Sequence, residues 1–221
     1  MVIGISGMIG CGKSTLSSEL HDTYSNSLLL EEFSNDDVVF NTFLSWIYKK
    51  KPNIDIGFQT YIIESLSDSF KKAINLFNKK GFTMSKNHIF LDRFNLEHYI
   101  FAKVNLDKKD SKYFKAFDAL FNCILNEEEN PDLAIFLDID FDTFKRRIFQ
   151  RGRKSEIDNY DLNEAYFKEL HSVYKDEFIK LVQRYNIPYK IIDCNNKTND
   201  QVFDEAKNII DNFDFSKSKR K

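Results

Sequence analysis

Residues 1–15 read MVIGISGMIGCGKST, and this stretch decides how the rest of the chain folds. The first six residues are mostly apolar and β-branched and predict a buried strand. The pattern G-x-x-x-x-G-K-[ST] follows from Gly7 to Ser14, and a helical pattern begins at Thr15. This motif binds phosphate when a strand precedes it and a helix follows it. The opening segment therefore predicts a nucleoside triphosphate site.

The loop of this motif assigns a role to each residue type. Glycines let successive backbone N–H groups point into one concavity, and the positive end of the following helix faces the same way. We expect Lys13 to reach the β- and γ-phosphates and the Ser14 hydroxyl to hold Mg²⁺. A glycine turn that merely contains a lysine is the alternative, but three of the seven glycines stand here at the required spacing. The predicted ATP-binding residues are Gly7, Met8, Ile9, Gly10, Cys11, Gly12, Lys13, Ser14 and Thr15.

Composition limits the class of protein. The 221 residues, 42% hydrophobic and 30% charged, suit one α/β domain. A net charge of −2 favours neither nucleic acid nor a membrane surface as a partner, and no apolar run approaches the ~18 residues of a membrane span. The three cysteines are far apart, and neither Cys pairs nor clustered His residues suggest structural zinc. We expect a cytoplasmic protein without a signal peptide.

Strand and helix patterns alternate along the chain. After the first strand, four further apolar runs predict strands at Ser27–Glu31, His88–Asp92, Leu133–Asp138 and Tyr189–Asp193. Helical patterns lie between them at Val38–Lys50, Ile56–Lys80, Leu96–Val104, Tyr113–Glu128, Phe141–Gln150, Glu164–Arg184 and Gln201–Asn212. Nearly continuous apolar strands that alternate with helices predict a parallel sheet covered by helices on both faces. Residues 1–213 are expected to form one domain, and 214–221 a disordered basic tail.

Charged residues follow two of the predicted strands. Glu31 and Glu32 end the second strand and Asp92-Arg93 ends the third, at the edge where α/β sheets bind ligands. A carboxylate there can take the proton from an attacking hydroxyl, although a solvated strand end is the more common case. Asp92 can share Mg²⁺ with Ser14. Arg93 can hold an acceptor oxygen or the transferring phosphoryl group.

A second group of charges is formed by arginines. Arg146, Arg147, Arg151 and Arg153 crowd the end of one predicted helix. A solvated helix face is one interpretation; in a phosphate-loop kinase such a cluster is typical of a lid that closes on the γ-phosphate. A GTP switch is disfavoured, because the segment 196–199 lacks the Asp of a guanine reader and 92–95 lacks the Gly of a switch motif.

Several motifs occur in the order found in one family. Glu32 follows the phosphate loop, Tyr48 precedes Phe58-Gln59-Thr60-Tyr61, and Asp92-Arg93-Phe94 follows the third strand. Further on come Arg151-Gly152-Arg153-Lys154-Ser155-Glu156 and a helix from Tyr166 to His171. In these features the chain resembles the deoxyribonucleoside kinases, the family that includes deoxycytidine, deoxyguanosine and deoxyadenosine kinases.

The resemblance implies a three-layer phosphate-loop kinase with strand order 2-3-1-4-5 and a lid over about 147–160. It implies transfer of phosphate from ATP, with Mg²⁺, to the 5′-OH of a deoxynucleoside, and a homodimer. Catalysis would fall to Glu32 as base and to Lys13, Arg93, Arg151 and Arg153. Gln59 would meet the base edge, Tyr48 and Glu156 the sugar 3′-OH, and Arg93 the 5′-OH. By helical spacing Ile62 and Leu66 lie on the same face as Gln59.

The chain departs from the family where the base is read. Members that prefer purine or cytosine carry an Arg and an Asp at the positions of Leu66 and His98. An apolar side chain and a largely neutral ring remain, while the Gln59 amide can pair with either kind of base edge. We therefore expect a relaxed pocket for purine deoxynucleosides that also tolerates thymidine. A selective pocket with His98 facing solvent stays open.

Two other functions fit parts of the pattern. A nucleoside monophosphate kinase shares the phosphate loop, a strand-end Asp-Arg and an arginine lid, but Glu32 would repel the phosphate of its acceptor. A nucleotide-binding regulatory protein that catalyses nothing is the alternative from another class.

Overall fold

The apolar segment at the start of the chain is the middle strand of a five-stranded parallel sheet in a computed structural model. The structure describes residues 1–32, 37–153, 157, 160–218 and 220. The spatial order of the strands is β2-β3-β1-β4-β5, as the resemblance implied. The strands are β1 (Val2–Gly7), β2 (Leu28–Leu30), β3 (Ile89–Asp92), β4 (Leu133–Asp138) and β5 (Tyr189–Asp193).

Eight helices with described bounds surround this sheet. They are α1 (Lys13–Thr23), α2 (Val38–Tyr48), α3 (Asp55–Lys79), α4 (Leu96–Leu106), α5 (Ser111–Ile124), α6 (Phe141–Arg151), α7 (Tyr160–Arg184) and α8 (Asn199–Asp211). Short 3₁₀ turns lie at Glu127–Glu129 and Phe215–Lys217. No helix in these described ranges has the length and apolarity to span a membrane.

Helices pack on both faces of the sheet, which confirms the predicted layering. On one face α1 contacts β1, β2 and β3, while its neighbour α8 contacts β5. On the other face α7 packs its Tyr174 and Phe178 rings against Phe136 of β4, at centroid distances of 6.2 and 4.7 Å. Helix α4 contacts α3, α5 and α7. Because both faces are covered, all six residues of β1 are buried.

Several predicted boundaries differ from those of the structure, and three of them bear on the site or show a clear cause. Strand β2 ends at Leu30, so Glu31 and Glu32 follow it rather than belong to it. Helix α5 ends at Ile124, because Leu125 is extended and the Asn126 side chain accepts from the backbone N–H of Glu128 to begin a separate turn. Helix α7 begins at Tyr160 and not at Glu164.

The expected basic tail folds back on the chain over the residues that the structure describes. Phe215 contacts the ring of His88 at 6.1 Å. Arg220 pairs with Asp132 at 3.0 Å, and the Ser218 hydroxyl donates to the same carboxylate at 2.6 Å. Asp132 also accepts the N–H of Val2 at 2.8 Å. These residues thus join the carboxyl-terminal segment to the first strand.

Candidate active site

The phosphate loop lies between β1 and α1, and its backbone requires glycine. Gly7 has a φ of 140°, and a Cβ there would lie 2.6 Å from the carbonyl oxygen of Leu137. Gly10 and Gly12 also have positive φ values, of 74° and 105°. The Arg147 guanidinium donates to the carbonyl of Cys11 at 2.7 Å, which ties the loop to α6. The loop is therefore curled by its glycines and held in place by α6.

Lys13 begins α1 and turns its side chain back over the loop. Its Nζ donates to the carbonyls of Gly7 and Met8 at 3.0 and 3.1 Å. Ser14 and Thr15 are exposed on the first turn of the helix. The ammonium group of Lys13 thus lies at the loop. When a polyphosphate binds there, its charged oxygens would take the place of the two carbonyls as hydrogen-bond partners of Lys13.

Asp92 lies beside the loop because β3 pairs with β1, with Asp92 in register with Ile5. Burial raises the pKa of Asp92, while Lys13 and a hydrogen bond with Ser14 act in the opposite direction. Its Oδ1 is buried and has no hydrogen-bond partner in the described part of the chain. The Ser14 hydroxyl and the buried Asp92 carboxylate, which has an oxygen free to act as a ligand, are oxygen donors of the kind that Mg²⁺ prefers.

Glu32 and Arg93 form an ion pair at the same edge of the sheet. Arg93 Nε lies 2.9 Å from Glu32 Oε1. Arg93 has a φ of 75°, and its N–H donates to the carbonyl of Ile5 at 3.0 Å. This left-handed residue directly after β3 turns the guanidinium into the interior, where it lies 5.0 Å from the Phe101 ring.

Glu97 is a member of this cluster that sequence reasoning missed. Its buried carboxylate lies 3.0 Å from Arg93 Nη1 and accepts from the Tyr174 hydroxyl at 2.7 Å. It also accepts from the Ser6 hydroxyl at 2.9 Å and from the Gly7 N–H at 3.2 Å. Burial opposes the charge of Arg93, but Glu32, Tyr174 and Glu97 hold its pKa well above the ordinary value. One carboxylate thus joins the end of β1 to the arginine.

A single acid in an apolar helical run is the signal that could have revealed Glu97. Residues 96–102 read LEHYIFA, and all except Phe101 are buried. An ionised side chain is rarely buried without partners. A carboxylate on this inner face therefore required cations or hydrogen-bond donors nearby.

A cavity of about 370 Å³ extends from the loop and the Glu32–Arg93 pair. Gln59 and His98 lie on its inner side, with the His98 Nδ1 3.2 Å from the Gln59 Oε1. Its apolar walls come from α2, α3 and α4, through Phe40, Leu44, Ile47, Phe58, Ile62 and Phe101. Tyr48 and Arg153 also line this cavity.

A sequence profile of the deoxynucleoside kinase family matches residues 3–214. The chain belongs to the deoxynucleoside kinase family. It is accordingly an ATP-dependent phosphotransferase, as the motifs implied.

Similar proteins and solved structures match this chain over most of its length. A deoxyadenosine/deoxycytidine kinase of Bacillus subtilis is 28% identical over 79% of this chain and 75% of its own. An uncharacterized protein of Mycoplasma pneumoniae is 30% identical over 86% of this chain and 81% of its own. The structure of deoxyadenosine kinase from M. mycoides with dCMP superposes with a TM-score of 0.76, at 27% identity, and covers 96% of this chain and 100% of that one.

Most of the site residues predicted from the phosphate-loop motif and from the family motifs line this same cavity. Those that line it are Ile9, Gly10, Lys13, Ser14, Glu32, Tyr48, Gln59, Ile62, Asp92, Arg93, His98, Arg151 and Arg153. Leu66 instead packs with Phe40, Phe58 and Ile62, and it is not among the described lining residues. Glu156 falls outside the described residues. Tyr166 and Asn105 line the cavity and were not predicted.

Proposed function

We propose that this chain transfers the γ-phosphate of ATP to the 5′-OH of a purine 2′-deoxynucleoside, with pyrimidines tolerated less well. The observation that carries the proposal is the Glu32–Arg93 pair, 2.9 Å apart, between the phosphate loop and a cavity with a polar amide on its inner side. The purine preference is supported by relatives named deoxyadenosine and deoxyguanosine kinases.

Different residues act on the acceptor and on the ATP in this reaction. Glu32 takes the proton of the 5′-OH, whose oxygen then bonds to the γ-phosphorus as the bond to the β-phosphate oxygen breaks and ADP leaves. Arg93 holds the acceptor oxygen and orients the Glu32 carboxylate beside it through their 2.9 Å contact. Lys13 and the loop N–H groups stabilise the charge on the leaving diphosphate.

Mg²⁺ fits the Ser14 hydroxyl and the Asp92 carboxylate. When bound with ATP it neutralises charge on the phosphate oxygens. No group of three or more His, Cys, Asp or Glu side chains converges on a metal site within the described residues. That pattern agrees with an ion held by one or two protein ligands together with the nucleotide.

The charges at the acceptor end favour a neutral acceptor over a nucleoside monophosphate. Arg93 is already paired with Glu32 and Glu97, at 2.9 and 3.0 Å. The phosphate of a nucleoside monophosphate would therefore lie near the carboxylates of Glu32 and Glu97, and the charge of Arg93 is already neutralised by these two acids. A free 5′-hydroxyl has no such penalty and places its proton beside Glu32.

Incubation of the purified protein with ATP, Mg²⁺ and each of the four deoxynucleosides tests the proposal. We expect deoxynucleoside 5′-monophosphate and ADP in equal amounts, with kcat/KM highest for a purine. Formation of diphosphates in a parallel incubation with the four deoxynucleoside monophosphates, without turnover of the deoxynucleosides, would favour the alternative kinase. Binding of ATP without turnover of any deoxynucleoside would contradict the proposal.

A further inference from the structure

Glu97 contacts both the phosphate loop and the arginine of the acceptor site. Its buried carboxylate accepts from the Ser6 hydroxyl at 2.9 Å and from the Gly7 N–H at 3.2 Å. The same carboxylate lies 3.0 Å from Arg93 Nη1. Ser6 and Gly7 are the last two residues of β1, and the phosphate loop begins at Gly7. One side chain thus connects the segment that holds ATP to the arginine beside the acceptor.

The guanidinium of Arg93 depends on its side-chain partners for its position. The backbone of Arg93 is fixed to β1, because its N–H donates to the carbonyl of Ile5 at 3.0 Å. The long side chain has many rotamers, and ordering them costs up to about 2 kcal/mol. Nη1 donates to Glu97 and to the Tyr174 hydroxyl, while Nε faces Glu32. Among the described residues Nη2 has no hydrogen-bond partner, so it remains as a donor for the acceptor oxygen.

Of the two acids beside Arg93, Glu97 is the one that fixes the guanidinium relative to the loop. Glu32 lines the cavity and takes up a proton in the proposed reaction. Glu97 is enclosed, and its donors come from β1, from α7 and from Arg93 itself. Burial holds the pKa of the Tyr174 hydroxyl well above its ordinary value, so the protonated phenol donates to Glu97 at 2.7 Å. These donors fix the carboxylate, and the carboxylate fixes Arg93.

We propose that Glu97 is a positioning residue that sets the spacing of the two substrates. It holds Arg93 at a fixed place relative to the phosphate loop, and Arg93 then places the 5′-oxygen in line with the γ-phosphorus. The proposal rests on the proposed function, because it requires the 5′-OH beside Glu32 and Arg93. The attacking oxygen must lie about 3–3.5 Å from the phosphorus, and an error of about 1 Å can lower the rate ~100-fold.

Neutralisation of a buried charge is the alternative role of Glu97. Arg93 is 4% exposed, and a buried cation without a carboxylate partner destabilises a protein. The hydrogen bonds from Ser6 and Gly7 contribute nothing to that role, because they do not involve the arginine. Variants that keep the charge of Glu97 but alter its link to the loop therefore distinguish the two roles.

Glu97→Asp is the first such variant. It keeps a charge opposite Arg93 but withdraws the carboxylate by one carbon–carbon bond, about 1.5 Å. The shorter side chain cannot contact the loop and the arginine together. Glu129→Asp is the matched control, because Glu129 is also buried and accepts from the side chains of Ser67 and Asn95, at 2.5 and 3.1 Å. None of the described contacts of Glu129 is with the phosphate loop or Arg93.

Steady-state kinetics with ATP, Mg²⁺ and the deoxynucleoside that the wild type phosphorylates fastest gives the readout. We express kcat per molecule that binds ADP, counted by titration calorimetry, so unfolded protein does not contribute. We expect Glu97→Asp to lower kcat at least ~10-fold, the effect of about 1.4 kcal/mol. Both KM values should stay within ~3-fold, because each substrate keeps its own contacts and only their alignment is lost. In Glu129→Asp, kcat should stay within ~2-fold of the wild type.

A second pair of variants alters the loop side of the link. Ser6→Ala removes one hydrogen bond of Glu97 and leaves its pair with Arg93 intact. Ser17→Ala is its control, because the buried Ser17 hydroxyl donates to the carbonyl of Lys13 at the same distance, 2.9 Å, within α1. We expect kcat to fall at least ~5-fold in Ser6→Ala and less than ~2-fold in Ser17→Ala. This pair decides the question if Glu97→Asp does not fold.

The outcomes are separable. Unchanged kcat in folded Glu97→Asp or in Ser6→Ala would overturn the proposal, as would an equal loss in the matched control. A rise in the KM for the deoxynucleoside without a loss of kcat would also overturn it, since Glu97 would then only preserve the shape of the cavity. Absence of any deoxynucleoside monophosphate from the wild type would refute the proposed function itself, whereas product with unaltered kcat in these variants refutes only the role of Glu97.

Discussion

At the scale of single residues, the site depends on one arginine between two carboxylates. Arg93 is 4% exposed and lies at 2.9 Å from Glu32 and 3.0 Å from Glu97. Glu97 has its other contacts with β1 and α7, whereas Glu32 lies in the cavity. The buried acid therefore holds the arginine in place, and the acid in the cavity remains available to the substrate.

The role of Glu97 predicts a large loss of stability on Glu97→Gln. The amide would place an N–H₂ group among the donors of Gly7, Arg93 and Tyr174. The buried charge of Arg93 would then keep only one of its two carboxylate partners, Glu32. Breaking a buried pair typically costs about 3 kcal/mol. Urea denaturation measures the change in the free energy of unfolding. Asp107→Asn, which breaks a partly exposed pair with Lys103 at 2.6 Å, should cost less than ~1 kcal/mol. Equal losses in both variants would contradict the assigned role.

At the scale of elements, the sequence predicted types better than ends. All five strands lie within one or two residues of their predicted positions, because burial on both faces gives each an uninterrupted apolar run. The predicted end of α5 was wrong because of one side-chain hydrogen bond. The Asn126 side chain accepts from the N–H of Glu128 and begins a separate turn, so Glu127–Glu129 do not belong to α5. Such local hydrogen bonds leave no periodicity to detect.

The residues of the candidate site also divide into those that the sequence predicted and those that it did not. Glu32, Asp92 and Arg93 were predictable because they lie at or just after the ends of apolar strands, at the ligand-binding edge. Glu97 and the contact between His98 and Gln59 were not, since both depend on which residues of α3 and α4 meet. The helical pattern gave the inner face of each helix, but not the pairing of side chains between them.

Three arginines in α6 or just after its end lie in two different places, which predicts different effects of their loss. Arg147 contacts the carbonyls of Cys11 and Cys194, at 2.7 and 3.3 Å, whereas Arg151 and Arg153 line the cavity. We expect Arg151→Ala and Arg153→Ala to lower kcat by at least ~10-fold with a smaller rise in the KM for ATP, because charge develops in the transition state. Steady-state kinetics with varied ATP checks this. A rise in KM alone would show that these arginines only attract the nucleotide.

At the scale of the whole molecule, Met1 and the carboxyl-terminal segment around Phe215 meet beside β3. The Met1 amino group donates to the carbonyl of Met84 at 2.9 Å, and burial lowers its pKa to about 6. His88 contacts the rings of Tyr24 and Phe215, and burial, followed by the nearby amino terminus, lowers its pKa to about 4. Two basic groups are thus held neutral where these two segments meet.

Because of these two groups, we predict that the free energy of unfolding decreases in two steps as the pH is lowered. In the unfolded chain the amino group takes up its proton as the pH falls below about 8, and the His88 ring below about 6.5. The folded protein resists both, so stability present at higher pH is lost from pH 8 to 6 and again from 6.5 to 4. Urea denaturation across this range measures both steps. His88→Phe should reduce the lower step and leave the upper one; an unaltered lower step would contradict the assignment.

The central claim is that Glu32 takes the proton of the acceptor hydroxyl, and the pair Glu32→Gln and Glu31→Gln tests it most directly. Both acids line the cavity, but only Glu32 has a described ion pair with Arg93. With saturating ATP and deoxyadenosine, the account predicts that kcat falls at least ~100-fold in Glu32→Gln and less than ~3-fold in Glu31→Gln, with ATP affinity unchanged in both. A Glu32→Gln variant that keeps more than a tenth of the wild-type kcat, or a larger loss in Glu31→Gln, would contradict it.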